Sequence, residues 1–308
     1  MKYLFIANPV AGKGKTKKVL PKIKNVLDSK NIEHLIVETK APGDIEKIIS
    51  QFENDFDRII IVGGDGTLHE LLNSNKIDGK TFGVIPTGSG NDFAMTLRLK
   101  KKIEIDIETI LLGKTLSLDI GYVEIEEFSG KKFTKIFGNS FGIGFDAEVA
   151  NEARKIKIIR GIFLYLLSVF KVLLFYKPRK IEIKSTHLNI KDEIFMISIG
   201  NGKTAGGGFR LTPYGNPIDG KLDICIVHKI SKFKVLRILP LAIFGKHVTN
   251  KSVSYVQENQ FEIISDAPVY VHADGEILTD NLKRAKVVVL NNKARFLTNG
   301  VSYVNEKA

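Results

Sequence analysis

The sequence predicts an α/β N-terminal domain with an open, mostly parallel sheet, followed by a β-sandwich-like C-terminal domain. Three observations predict it. Apolar runs alternate with helix-like segments through the first hundred positions. Three of those runs end in glycine-bearing turns. From about residue 115 short strand-like runs take over, and 308 residues suffice for two cores.

In order, residues 3–7 make a first apolar strand. Asn8-Pro9-Val10-Ala11-Gly12-Lys13-Gly14-Lys15-Thr16 follows, a basic glycine turn leading into a helix over 17–27. A Walker A loop would need glycine where Pro9 stands, and the dinucleotide fingerprint would need it at Lys17. Residues 35–38 read as a second strand and 44–52 as a second helix. Ile59–Val62 is β-branched and apolar throughout, the pattern of a parallel strand buried on both faces. Gly63, Gly64 and Gly66 break it, letting backbone approach a ligand closely. Thr67 is expected as the N-cap of the next helix, with Glu70 at capping-box spacing. Such a helix start suits phosphate, and Asp65 within the turn suits a divalent cation beside it. A plain tight turn is the bland alternative. Residues 82–85 form a fourth strand, ending in Pro86-Thr87-Gly88-Ser89-Gly90-Asn91-Asp92-Phe93-Ala94. In open sheets ligands bind at the carboxyl ends of strands, where all three turns fall.

Beyond about residue 115 strands are expected over 116–125, 132–139, 179–184, 194–200, 222–228, 252–256, 261–264, 269–272 and 286–290. Domain limits are set at 1–122, with 296–308 returning to the first domain, and 123–295. An apolar segment over 156–180 is broken by Lys171, ends at Pro178 and is edged by Lys155, Lys157, Arg160, Lys177, Arg179 and Lys180. It is too short to span a bilayer, and it either lies in a membrane interface or packs on the β domain. Residues 233–244 repeat the pattern more weakly.

A net charge of +12 favours anionic partners without choosing among nucleotide, membrane and nucleic acid. The one cysteine, Cys225, sits in an apolar run, which excludes an internal disulfide and suits a reducing compartment. The start of the chain has no basic-then-apolar leader pattern. His272, Asp274 and Glu276 share period-two spacing and could face one way on a strand as a metal set.

The ordered motifs resemble the diacylglycerol kinase catalytic-domain family of lipid kinases, in its soluble bacterial, sphingosine kinase-like branch. They are Asn8-Pro9-Val10-Ala11-Gly12, Gly63-Gly64-Asp65-Gly66-Thr67, Gly88-Ser89-Gly90-Asn91-Asp92-Phe93-Ala94, Gly200-Asn201-Gly202, Gly206-Gly207-Gly208, Asp219-Gly220-Lys221-Leu222-Asp223 and Asp274-Gly275-Glu276. The resemblance implies ATP held by the first domain and a lipid alcohol phosphorylated in the cleft between the two. It marks Asn8, Pro9, Val10, Ala11, Gly12, Thr39, Gly64, Asp65, Gly66, Thr67, Leu68, His69, Glu70 and Ser89 as ATP contacts. It marks Asp274 as general base with Glu276 in support, and Asp65 and Asp92 in a Mg2+ and water network. Lys15 and Arg98 stand where relatives place bases near these acids. A structural Mg2+ would take the Asp219 side chain and the carbonyls of Asn216 and Lys221, although Asn216-Pro217-Ile218-Asp219-Gly220 is sound turn chemistry without an ion.

Lipid phosphorylation at the cytoplasmic face of an anionic membrane is the first expectation, with diacylglycerol as the leading acceptor. An NAD kinase-like enzyme and a basic non-enzymatic nucleotide- or nucleic-acid-binding module are the alternatives. No aromatic-and-basic strand platform supports nucleic acid. Edge strands leave room for a homodimer.

Overall fold

The computed structural model describes residues 1–99, 102–156 and 161–300, without the side chains of 161, 162, 164 and 165. Lys157 and Arg160, and positions 301–308 of the expected C-terminal return, lie outside the described residues. The chain divides into two units, Met1–Leu118 with the stretch from Asn292, and Asp119–Asn291. The divisions expected after 122 and 295 fall earlier because each cuts through a continuous strand, which leaves no linker composition to mark it.

The first unit runs β1 (Tyr3–Ala7), α1 (Ala11–Ser29), β2 (His34–Glu38), α2 (Asp44–Phe52), β3 (Arg58–Gly63), α3 (Asp65–Leu72), β4 (Thr81–Pro86), α4 (Asp92–Thr96) and α5 (Ile103–Leu112). The chain continues through β5 (Thr115–Glu127), β6 (Lys132–Phe137), β7 (Ser140–Gly144), α6 (Phe145–Lys155), α7 (Gly161–Leu173), β8 (Arg179–Lys184), β9 (Asn189–Gly200) and β10 (Leu222–His228). It ends with α8 (Lys232–Ile243), β11 (Val253–Glu258), β12 (Gln260–Ser265), β13 (Val271–Ala273), β14 (Glu276–Thr279) and β15 (Leu282–Leu297).

In the first unit β2, β1, β3 and β4 pair in that order, all parallel, and the end of β15 joins β4 through Arg295 and Phe296. Both faces are apolar, as the β-branched runs require. One face packs Phe5, Ile60, Val62 and Ile85 under Leu20, Ile23 and Leu27 of α1 and Ile107 and Ile110 of α5.

In the second unit every described pairing is antiparallel. β9 pairs with β8 along Asn189–Ile194, and with β7 along Met196–Gly200. One long strand thus serves two neighbours in turn, as sandwich corners do. Inward residues of β5 to β10, β12, β13 and β15 form one core. Alternate residues of β9 and β10, Phe195, Cys225 and Val227, bury against α6, α7 and α8 instead. Cys225 is therefore core, and burial pushes its thiol up to about 12. One face of the apolar segment packs on the β domain, the second of the two expectations. Val169 and Leu173 of α7 are buried while Phe163, Leu167 and Phe170 are exposed. No described helix is long and apolar enough to cross a membrane.

Candidate active site

Register brings the three glycine turns to one edge of the parallel sheet. Ala7 lies beside Val62, and Gly63 beside Pro86, so β1, β3 and β4 end side by side. After β1 the chain does not enter a helix at once. Gly12, Lys13 and Gly14 take φ of 59, 58 and 82°, all left-handed, and regular helix begins at Lys15. The turns then interlock. Asn8 Nδ2 donates to Thr67 Oγ1 at 3.1 Å, the Thr87 N–H donates to the Gly63 carbonyl at 2.8 Å, and the Thr16 and Thr87 hydroxyls share a 2.5 Å bond. A Cβ on Gly12 would overlap the Thr87 carbonyl oxygen, and one on Gly64 would stand 2.9 Å from Gly88 Cα. Asn8–Gly12, Gly64–Thr67 and Gly88–Asp92 therefore form one cluster of bare backbone, a surface a phosphate chain could lie along.

Asp65 and Asp92 each open a helix, α3 and α4. Asp65 Oδ1 accepts the Phe93 N–H at 3.2 Å, tying the second turn to the third. Two carboxylates at two helix starts are hard oxygen donors of the kind magnesium takes. The expected capping box is absent. α3 begins at Asp65 behind Gly64, so Thr67 lies inside the first turn and its hydroxyl meets Asn8 instead. Glu70 Oε1 accepts the N–H groups of Gly43 and Ile45 at 2.9 and 3.2 Å, securing the start of α2. The Leu68 and His69 side chains are buried, so nucleotide contacts there would come from backbone. The Thr39 N–H is taken by the Ala7 carbonyl, and Ser89 and Lys15 are exposed. The Arg98 carbonyl accepts from Asn299.

In the second unit Asp274 and Gly275 form the two-residue turn between β13 and β14, with φ of 50 and 84°. Asp-Gly with both φ positive is the type I′ hairpin pattern. The turn breaks the alternation that would put His272, Asp274 and Glu276 on one face. Glu276 pairs with Arg154 at 3.1 Å, and His272 is buried against Asp146. No group of three or more His, Cys, Asp or Glu among the described residues could hold a metal. Nothing lies within 4 Å of a Cβ on Gly275, so its glycine serves conformation rather than crowding. The Asp274 carboxylate sits in a backbone cradle. Oδ2 accepts from Gly138 N–H at 2.9 Å, and Oδ1 from Asn139 and Ser140 N–H at 2.8 and 3.0 Å. Gly138–Ser140 had no sequence signal of their own. Only the fold brings a β6–β7 connection to a turn more than a hundred positions later.

The Asn216–Lys221 turn lies in the same unit. Asp219 Oδ1 accepts the Lys221 N–H at 3.0 Å, and Asp119 Oδ2 accepts the Gly220 N–H at 2.8 Å. Partial burial, then repulsion from Asp119, pushes the Asp219 carboxyl up, the electrostatic setting a bound cation relieves. One carboxylate and backbone carbonyls make a fitting donor set for magnesium. Nearby Asp223 is fully buried and accepts from the Tyr255 hydroxyl at 2.5 Å and Gln257 Nε2 at 3.0 Å. Burial outweighs those bonds and lifts its carboxyl from 3.8 to about 6. A folded value above the unfolded one stabilises the fold below about pH 4 and is lost as pH rises through 6. With chelator present, wild type should lose roughly 2 kcal/mol of unfolding free energy relative to Asp223→Asn between pH 4 and 7. Parallel denaturation curves for the two proteins would count against it.

The model for the "Diacylglycerol kinase catalytic domain" matches residues 2–123, and that for the "YegS C-terminal NAD kinase beta sandwich-like domain" matches 139–291. A diacylglycerol kinase of Staphylococcus epidermidis is 30% identical over 276 residues, 88% of this chain and 84% of that one. A diacylglycerol kinase of Bacillus subtilis is 27% identical over 276 residues, 88% of each. The crystal structure of a diacylglycerol kinase from Bacillus anthracis superposes with a TM-score of 0.71 at 22% identity, covering 97% of each chain, a likeness of fold.

Proposed function

Because the chain belongs to the diacylglycerol kinase family, we propose that it is an ATP- and Mg2+-dependent lipid kinase acting on the hydroxyl of a lipid alcohol, diacylglycerol first. The observation that carries this reading is the interlocked backbone cluster at the ends of β1, β3 and β4. It offers N–H groups without side chains, which is what a nucleotide's phosphates need. Asp65 and Asp92 would hold the magnesium ion, which when bound neutralises phosphate charge. Asp274 takes the proton of the lipid hydroxyl. Its carboxylate is held in place by three backbone donors, two on Oδ1 and one on Oδ2. The alkoxide oxygen bonds to the γ-phosphorus, the bond to the β-bridging oxygen breaks, and ADP leaves. Asn216, Asp219 and Lys221 would hold a second, structural ion, separate in role from this step.

The enzyme meets its acceptor at an anionic membrane surface. Phe163, Phe170, Leu174 and Phe175 along and beyond α7, and Phe233 and Phe244 at the ends of α8, are all at least half exposed. Lys232 Nζ donates to the Leu174 carbonyl, joining the end of α7 to the start of α8. Lys177, Arg179, Lys234 and Arg237 edge the same stretch. Phe175→Ser and Phe233→Ser should each weaken partition onto phosphatidylglycerol vesicles by about tenfold, with activity on a short-chain diacylglycerol in detergent kept. Sedimentation showing undiminished binding would refute this surface.

The test of the main reading is a labelled-ATP assay with magnesium over diacylglycerol, ceramide, sphingoid base, phosphatidylglycerol and polyprenol, with Asp274→Asn as blank. NAD in solution is run beside them, because the second family model likens its β-sandwich to NAD kinase. Label reaching only NAD would overturn the lipid reading.

A further inference from the structure

A buried histidine and aspartate lie directly beneath the turn that carries Asp274. His272 Nε2 lies 3.1 Å from Asp146 Oδ2, with both side chains 2% exposed. On the other side of the ring, Nδ1 faces the Gly275 N–H at 3.2 Å. An N–H can only donate, so Nδ1 is the unprotonated nitrogen and Nε2–H donates to Asp146. The path between them is kept open by Gly142, the β7 partner of His272, where a Cβ would overlap both Nε2 and Asp146 Oδ2. Asp146 is the second residue of α6, at the end of that helix whose dipole favours a negative charge. Farther along α6, Arg154 holds Glu276 on the other strand of the hairpin. One helix therefore grips both sides of the turn, through a neutral imidazole on one and a guanidinium on the other.

We propose that His272 and Asp146 are positioning residues for phosphoryl transfer. The imidazole fixes the Gly275 amide and with it the type I′ turn, so that the Asp274 carboxylate is aimed at the acceptor hydroxyl. Asp146 fixes which ring nitrogen carries the proton. A two-residue turn of positive φ can flip its central peptide, and the bond from Gly275 N–H to Nδ1 opposes that flip. The inference rests on Asp274 being the base, and the experiment separates the two. The probe is dioctanoylglycerol in mixed micelles with ATP and magnesium, assayed with wild type, Asp274→Asn, His272→Asn, His272→Gln and His272→Phe. Asparagine places an acceptor oxygen where Nδ1 stood, whereas glutamine mimics Nε2 and leaves Gly275 without its acceptor.

The expected result is kcat within about threefold of wild type for His272→Asn, and lower by roughly 30- to 100-fold for His272→Gln and His272→Phe. KM for both substrates should stay near wild type, since nothing that binds them is removed. A purely structural histidine would instead rank the variants by thermal stability. Equal losses in His272→Asn and His272→Gln, or undiminished kcat in His272→Gln, would overturn the proposal while a dead Asp274→Asn keeps the base. An active Asp274→Asn would instead remove the base itself. Two readouts need no turnover. Nitrogen-15 spectra of the wild-type full chain should show His272 protonated on Nε2 at pH 7.5. The Gly275 amide should exchange slowly in wild type and His272→Asn and fast in His272→Gln. An Nδ1-protonated ring, or a fast-exchanging Gly275 in wild type, refutes the dyad even if a variant fails to fold.

Discussion

Asp274→Asn is expected to lower kcat for lipid phosphorylation by about 10²- to 10⁴-fold, the range general bases supply, while ATP still binds. Asparagine is the informative substitution here because of the turn. It tolerates left-handed φ, so the 50° of Asp274 is kept, where alanine would add strain and strand three N–H groups. The amide oxygen can replace Oδ1 and keep the bonds from Asn139 and Ser140. The amide nitrogen then stands where Oδ2 met Gly138 N–H, donor against donor. Two consequences follow from that one atom. The proton acceptor is gone, and the turn loses about 1–3 kcal/mol from an unsatisfied buried donor. A small fall in melting temperature should therefore accompany a large fall in kcat. Loss of both in proportion would mean that Asp274 is structural. The check is kcat, the ATP dissociation constant and a melting curve measured on one preparation.

What a residue string discloses about this molecule depends on whether the signal is local. Ile59–Val62 and the glycines after it are local, and the strand, the turn and their place at the sheet edge follow from them. So does α2, whose limits 44–52 come from a run of isoleucines at helical spacing. Ile103–Leu112 is ambiguous for an equally local reason. Ile-Glu-Ile-Asp-Ile-Glu alternates like a strand, yet α5 buries Asp106, Ile107 and Ile110 on one helical face and stops at Gly113. The readings that failed outright were those that needed a distant partner. Thr67 and Glu70 have capping-box spacing, but Asn8 takes the hydroxyl and the α2 start takes the carboxylate. His272 reads as part of a metal set because its partner Asp146 lies on α6, for which the sequence carries no expectation. The cradle around Asp274 was invisible for the same reason, since backbone N–H groups carry no letter in a sequence.

The backbone cluster at the end of the parallel sheet makes the second large prediction, and a matched pair of glycines isolates it. Gly12 and Gly79 both have positive φ, 59 and 71°. Alanine at either should cost roughly 1 kcal/mol for that conformation alone. They differ in the space around them. Nothing lies within 4 Å of a Cβ on Gly79, whereas a Cβ on Gly12 would overlap the Thr87 carbonyl oxygen. That carbonyl cannot rotate away cheaply, because the Thr87 N–H is held by Gly63 and its hydroxyl by Thr16. The first and third turns must therefore part for Gly12→Ala to be accommodated. Gly12→Ala should lose about 2–4 kcal/mol of stability, the conformational cost plus overpacking, and weaken ATP binding by more than about tenfold as the amides separate. Gly79→Ala should show the smaller stability loss and unchanged ATP affinity. Denaturant melts and nucleotide titrations on the two variants decide the matter: equal behaviour would mean that the close approach of Gly12 to Thr87 has no part in forming the site.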